Sequence, residues 1–385
     1  MAPSRTQCFL LCFSHLRWNF VYQRPQHLMS RATKNYQVFY FEEPVVLPAA
    51  ESHLQITADS CGVVVVTPVV PELSCEVDLV EQFIAENAPQ RRALWYYTPM
   101  ARRSTAHLDA DLIVYDCMDE LSAFHAAPPE MKVREAELLQ AADVVFTGGR
   151  SLYEAKRGAH RNVRAFPSSV DSAHFAQARG LGMSDPADQA SLPRPRLGFF
   201  GVIDERLDLD LIAGMAKLHP EWSFVIIGPV VKIDPAILPR LPNIHWLGAR
   251  TYQELPTYLA HWDLGIMPFA LNDATRYISP TKTLEFLAAG LPVVSSAIAD
   301  VIRPYGERRL VEIGADPDEF VTCAEKLLTR PRDVWLRDVD ALLAGMSWDQ
   351  TWAAMLASMR KVNRSRRRSE PQSPSVAAEA SHAGL

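Results

Sequence analysis

Between residues 279 and 285 the chain reads Ser279-Pro280-Thr281-Lys282-Thr283-Leu284-Glu285, which sets a cation and a carboxylate one helical turn apart. Ser279 fits a helix N-cap and Pro280 the first helical position. The apolar continuation to Gly290 gives the helix its length, and Pro292-Val293-Val294-Ser295 then reads as a strand. A helix start presents unpaired N–H groups and a positive dipole end, both of which favour phosphate. Lys282 opposes that dipole at a cost of about 0.3 to 1 kcal/mol. A charge-assisted bond to phosphate, about 1.5 to 3 kcal/mol, outweighs it. Glu285 lies on the same face and can accept two sugar hydroxyls, as ribose recognition requires. Spacing alone leaves an alternative open, an ordinary capped helix with Lys282 and Glu285 as a solvent-exposed pair.

Three further segments carry polar residues where a strand gives way to a helix. Gly198-Phe199-Phe200-Gly201-Val202-Ile203-Asp204-Glu205-Arg206 is a strand ending in a glycine turn. Gly201 would let the backbone approach a phosphate, and Arg206 could clamp it bidentately. Trp18-Asn19-Phe20-Val21-Tyr22-Gln23-Arg24-Pro25-Gln26-His27 precedes a helix, with Arg24 the candidate for a phosphate or acceptor contact. Trp18 and His27 fit structural roles equally well. Tyr115-Asp116-Cys117-Met118-Asp119-Glu120 closes a buried strand; Asp116 and Asp119 suit hydroxyl recognition or, alternatively, a helix N-cap.

These segments need strands to hold them. Short apolar runs predict strands at 7–13, 37–41, 62–66, 93–97, 112–115 and 144–147, with helices at 25–33, 77–87, 129–142 and 151–156 between several of them. A second series follows at 197–201, 223–228, 244–247, 264–267, 292–295 and 310–313. Alternating strands and helices predict an α/β fold with two doubly wound, mainly parallel sheets. Ligands then sit beyond the carboxyl ends of the strands. The break in composition over 176–195, rich in Gly, Ser and Pro, reads as a linker. The division expected is an amino domain over 1–178, a linker over 179–195 and a carboxy domain over 196–346. A helix over 347–362 carries the stripe Trp348, Trp352, Met355, Leu356 and Met359, and a disordered tail spans 363–385.

The chain has 385 residues, 48 % of them hydrophobic and 22 % charged, enough for two cores and wrong for a disordered protein. A net charge of -6 gives no case for nucleic acid. Six cysteines without CxxC spacing read as reduced, mostly buried thiols. No run is long enough for a signal h-region or a membrane span, so a cytoplasmic protein is expected. The basic run Arg360, Lys361, Arg364, Arg366, Arg367 and Arg368 reads as a solvated tail or as peripheral contact with anionic lipid.

The segment Pro280-x-Lys282-x-x-Glu285 closely resembles the donor-binding helix of GT-B glycosyltransferases, in the large retaining family of group 1 that includes teichuronic-acid and exopolysaccharide transferases. The resemblance extends through Ala142-Asp143-x-Val145-x-Thr147, Val170-Asp171-x-x-x-Phe175, Asn243-Ile244-x-x-Leu247-Gly248 and Asp263-x-Gly265-Ile266-x-Pro268-Phe269. It implies two Rossmann-like domains facing a cleft, with a final helix crossing back to the amino domain. It also implies Lys282 on the donor diphosphate, Glu285 on the ribose, and Asp119 on the transferred or acceptor sugar. The chain departs from the family where Val202 and Leu207 replace an arginine and a lysine, and where Tyr277 replaces the first of two paired glutamates. Asp273, Thr275 and Arg276 are then the remaining candidates for sugar contact in that loop. The activity implied is retaining hexose transfer from a UDP- or GDP-sugar to a saccharide or lipid-linked acceptor in cell-surface polysaccharide biosynthesis. Lys282, the helix start at Ser279 and Arg206 would stabilise the leaving diphosphate; no metal or other cofactor is expected. A sugar-nucleotide epimerase and a non-catalytic sugar-nucleotide-binding protein are the alternatives.

Overall fold

The computed structural model describes residues 8–87, 91–125, 127–180 and 182–369, with side chains to residue 362. Its first sheet contains β1 (Cys8–Ser14), β2 (Gln37–Glu42), β3 (Val45–Val46), β4 (His53–Ala58), β5 (Val64–Val70), β6 (Arg91–Tyr96), β7 (Leu112–Cys117), β8 (Val144–Thr147) and β9 (Val163–Ala165). Their spatial order is β3-β5-β2-β1-β6-β7-β8-β9. Every pairing is parallel except that of β4, which runs antiparallel along β5. The sequence reading missed β4, whose mostly exposed residues give no apolar run. β1, β2 and β6 are continuous apolar runs because helices cover both faces.

The second sheet contains β10 (Arg196–Phe200), β11 (Ser223–Ile227), β12 (Ile244–Gly248), β13 (Leu264–Met267), β14 (Val293–Ser295) and β15 (Glu312–Ile313), in the order β12-β11-β10-β13-β14-β15. Chain order reverses beside β1 in one sheet and beside β10 in the other, and each reversal opens a crevice at the strand ends. The helices that bear on the site are α1 (Arg24–Ala32), α2 (Glu76–Asn87), α3 (Arg102–Thr105), α4 (Met131–Ala141), α5 (Arg150–Lys156) and α6 (Ser172–Phe175). In the second half they are α7 (Leu209–Leu218), α8 (Leu255–Leu259), α9 (Thr281–Ala288), α10 (Ala299–Val301), α11 (Pro317–Thr329), α12 (Arg332–Leu343) and α13 (Trp348–Ser369).

Helix α13 packs Trp348, Trp352, Met355 and Met359 into the core of the first sheet, beside Leu10 and Trp95. Its backbone continues to Ser369, so residues 363–369 are helical where a tail was expected; residues 370–385 and the side chains of the basic run beyond 362 lie outside the described residues. The stretch expected as a linker is packed against the second domain. Gln189 is buried and accepts the Trp262 indole N–H at 2.9 Å, while Asp185 pairs with Arg196 at 2.6 Å. The six cysteines are all free thiols, but only Cys12 and Cys117 are buried and the others are half-buried.

Candidate functional site

The two sheets point their carboxyl ends at one cleft of about 650 Å³. Loops after β1, β7, β8, β10, β11 and β12 line it, together with the start of α9. Two contacts span it at one side. The Ser168 hydroxyl donates to the Ser279 carbonyl at 2.8 Å, and the Asp300 carboxylate accepts the backbone N–H groups of Arg150 and Ser151 at 2.7 and 2.9 Å. Asp300, on α10, thus caps α5 of the other domain. On the other side the ring of Tyr22 lies 4.6 Å from that of Tyr252, which stacks on His174 at 4.1 Å.

Helix α9 starts one residue later than its sequence suggested. Pro280 is the extended N-cap residue, with φ -65° and ψ 118°, and no side chain caps the helix. Ser279 is therefore no cap: its carbonyl is held across the cleft by Ser168. The consequence is a helix start whose first N–H groups are not taken by a side chain, with Ser279, Pro280, Thr281 and Lys282 all lining the cleft.

Lys282 reaches back over the β10 turn. A Cβ built on Gly201 would lie 2.1 Å from Lys282 Cε and 2.6 Å from Nζ, so a side chain there would displace the ammonium from this position. Gly201 also holds φ at +140°, and a Cβ on the neighbouring Gly228 would strike the Gly201 carbonyl at 1.7 Å. Burial pulls the Lys282 ammonium down from its ordinary range, Glu285 opposes this, and Arg206 adds to it. Glu285, one turn on, is 6 % exposed and lines the same cleft. Burial pushes its carboxyl up to about 7, with Lys282 pulling the other way.

Four cations line the cleft: Arg24, Arg206, Arg250 and Lys282. Three are held in ion pairs, Arg24 with Asp116, Arg206 with Asp204 and Arg250 with Asp188. Among the described residues Lys282 has no carboxylate within ion-pair distance, which singles it out for an incoming anion.

The other expected residues divide. Gly201 and Arg206 are brought to the cleft, but Asp204 takes the Nε and Nη2 edge of the Arg206 guanidinium, at 2.9, 3.1 and 2.7 Å, and the guanidinium lies 5.4 Å from the Phe124 ring. Asp119 lines the cleft half-buried, near Arg206, Arg24 and Lys282; burial raises its carboxyl and those cations oppose the rise. Its neighbour Glu120 is anchored by Lys156 at 2.7 Å, which fixes the loop. Asp116 does not line the cleft. It is fully buried in a bidentate pair with Arg24, whose remaining N–H group donates to the Phe166 carbonyl at 2.8 Å. Arg24 lines the cleft, but its guanidinium is committed to a buried pair with Asp116 that ties α1, β7 and the end of β9 together.

Trp18 stands in the cleft wall but is 6 % exposed, with its indole N–H on Asp59 at 3.0 Å. Asp273 and Arg276 do not line the cleft either. Their turn is closed on itself through the buried Thr275, and Arg276 lies 5.3 Å over the Tyr277 ring, which packs on the amino-domain core. Sequence reasoning missed Ser168, Asp300 and the loop Ala249-Arg250-Thr251-Tyr252-Gln253. Of these, only the loop had a signal, the strand ending at Leu247-Gly248.

Residues 194–330 match the family described as Glycosyl transferases group 1. TuaH of Bacillus subtilis (strain 168), a protein assigned to teichuronic acid biosynthesis as a glycosyltransferase, is 28% identical over 295 residues, 71% of this chain and 72% of its own. Among solved structures, sucrose-phosphate synthase from Thermosynechococcus elongatus superposes with a TM-score of 0.68 at 15% identity, covering 93% of this chain and 100% of that one. Anabaena HepE, solved in complex with UDP and glucose, gives 0.63 at 14% identity over 91% of this chain and 99% of that one. The fold is the GT-B architecture, and the family match and the TuaH relative mark the chain as a glycosyltransferase. The likeness to the group 1 glycosyl transferases lies in the second domain, residues 194–330.

Proposed function

We propose that this chain transfers a hexose from a uridine or guanosine diphosphate sugar to a saccharide or lipid-linked acceptor, in the assembly of a cell-surface polysaccharide. The transfer retains anomeric configuration and uses no metal or other cofactor. One observation carries the reading: Lys282, free of any ion pair among the described residues, lies over Gly201 at an uncapped helix start, with Glu285 one turn behind. A diphosphate at that helix start would meet backbone N–H groups, the dipole and one ammonium. Glu285 would then accept the ribose hydroxyls.

Cleavage of the bond from C1 of the sugar to the phosphate oxygen develops positive charge on the sugar and negative charge on the diphosphate. Lys282 and the helix start stabilise the latter. The acceptor oxygen bonds to C1 on the face the diphosphate leaves, and its proton passes to the departing phosphate oxygen. Asp119, which lines the same cleft, is then the candidate for contact with the sugar. TuaH's assignment to teichuronic acid biosynthesis and the UDP and glucose of the HepE complex support the acceptor and donor classes.

A thermal-shift panel of UDP- and GDP-sugars tests the donor, since a ligand bound by the native state raises the melting temperature. One donor should stabilise the wild type and be cleaved to its nucleoside diphosphate when acceptor is supplied. Lys282→Ala should lower that turnover by about 10- to 150-fold, the equivalent of one charged hydrogen bond of about 1.5 to 3 kcal/mol. Turnover at the wild-type rate in Lys282→Ala would defeat the proposal.

A further inference from the structure

A second cavity, of about 280 Å³, lies at the carboxyl ends of β1, β2 and β6. Phe13, Phe41 and Met100 give it an apolar wall, and Glu43, Glu76 and Arg103 stand around it. Glu76 opens α2 and is only 6 % exposed. The Arg103 Nε is buried without a hydrogen-bond partner. Among the described residues none of these three charged groups forms an ion pair, although Arg103 is near enough to act on both carboxyls. They surround a space without closing on one another. Glu42, also in the wall, is already engaged by Arg17 at 3.0 Å and by the Thr67 hydroxyl at 2.8 Å.

The cavity lies on the side of the amino domain that faces the second domain. Lys232 of the second domain acts on Glu43 and lies 5.0 Å from the Phe124 ring; Arg206, which lines the cleft, lies 5.4 Å from the same ring. A ligand here is held by amino-domain residues.

We infer that this pocket holds one monosaccharide unit of the acceptor, through hydroxyls that bridge the Glu76 carboxylate and the Arg103 guanidinium, and selects sugars carrying no phosphate or carboxylate there. The volume suits a single ring, just below the roughly 300 to 1,000 Å³ of drug-sized sites, and the apolar wall covers the ring's C–H surface. Two carboxylates against one guanidinium repel an anionic substituent. Burial pushes the Glu76 carboxyl up, while the Ser104 hydroxyl and Arg103 hold it towards the ionised, accepting form. Calling the ligand an acceptor rests on the transferase reading; saccharide binding does not.

Saturation-transfer NMR on the full chain, with glucose, galactose, mannose and glucose 6-phosphate as probes and UDP and GDP binding measured in parallel, tests this. At least one neutral hexose should give a signal that weakens about tenfold in affinity in Glu76→Gln and Arg103→Met and persists in Lys282→Ala. Glucose 6-phosphate should bind at least about tenfold more weakly than that hexose. Should the buried variants fail to fold, Glu43→Gln at the exposed edge of the pocket should weaken hexose binding in the same sense. No hexose signal, an unchanged signal in the folded variants, or tighter binding of glucose 6-phosphate overturns the inference. Hexose binding without nucleoside diphosphate binding would sink the donor reading instead and leave the pocket standing.

Discussion

Glu285 combines deep burial with a required charge, and that makes it a pH-dependent group. The native state keeps its proton up to about 7, well above the usual carboxylate range. Its raised pKa contributes stability that is fully present below the unfolded value and is lost as pH rises through about 7. Glu285→Gln should therefore melt higher than the wild type at pH 8, by the equivalent of on the order of 3 kcal/mol, with the difference vanishing near pH 4. The same proton opposes hydroxyl acceptance, so wild-type affinity for UDP or GDP should tighten between pH 6 and 8 and that trend should be absent in Glu285→Gln. Calorimetric titration across the range reads both. Asp116 makes the opposite case, a carboxylate whose partner is internal. Asp116→Ala strands the Arg24 guanidinium in the core and should cost about 3 to 5 kcal/mol in urea unfolding. A variant of unchanged stability but altered acceptor preference would restore Asp116 to the site.

At the scale of elements, the cleft depends on helix ends that serve the opposite domain. The start of α5 is capped by Asp300, and the chain before α9 is held by Ser168 rather than by its own Ser279. Asp300→Ala should cost about 0.5 to 2 kcal/mol, the usual value of a lost cap, and loosen the pairing of the domains. A drop in melting temperature together with weaker nucleoside diphosphate binding would show both effects; an unchanged melting temperature would show the cap to be idle. The two series of strands were legible in the sequence because buried parallel strands are unbroken apolar runs. β4 was not, since an exposed edge strand carries no such run. The packing of residues 179–195 was not legible either, because the contacts that hold them, Gln189 with Trp262 and Asp185 with Arg196, join residues that are not near neighbours in sequence.

For the whole molecule, α13 joins the end of the chain to its beginning. Trp352 packs within 6.1 Å of Trp95, donates its indole N–H to Asn35 at 3.0 Å, and sits among the residues of the first sheet's core. Trp352→Ala should destabilise the protein by about 3 to 5 kcal/mol, seen by denaturant unfolding. Loss confined to the last helix, with the sheet's transition unmoved, would mean that α13 is an appendage. His27 stacks on Trp348 at 4.7 Å and the Tyr22 ring meets both His27 and Tyr252, so this helix, α1 and the second domain share one aromatic cluster. Among the described residues no helix is long and apolar enough to cross a membrane.

The segment from Ser279 to Glu285 shows where sequence information stops. Local pattern determined the helix, its start within a residue, and the positions of Lys282 and Glu285 one turn apart, because these follow from backbone geometry and the 3.6-residue period. The two α/β units followed from runs of apolar residues, which need no knowledge of partners. Which charges remain free was decided only by the tertiary structure. Arg24 and Asp116 are separated by 92 residues and neutralise each other in the core. Lys282 is left over Gly201, and Glu76 and Arg103 face a cavity that no local pattern announces. An ion pair depends on distance in space, and sequence spacing reports that distance only within a helix or along a strand.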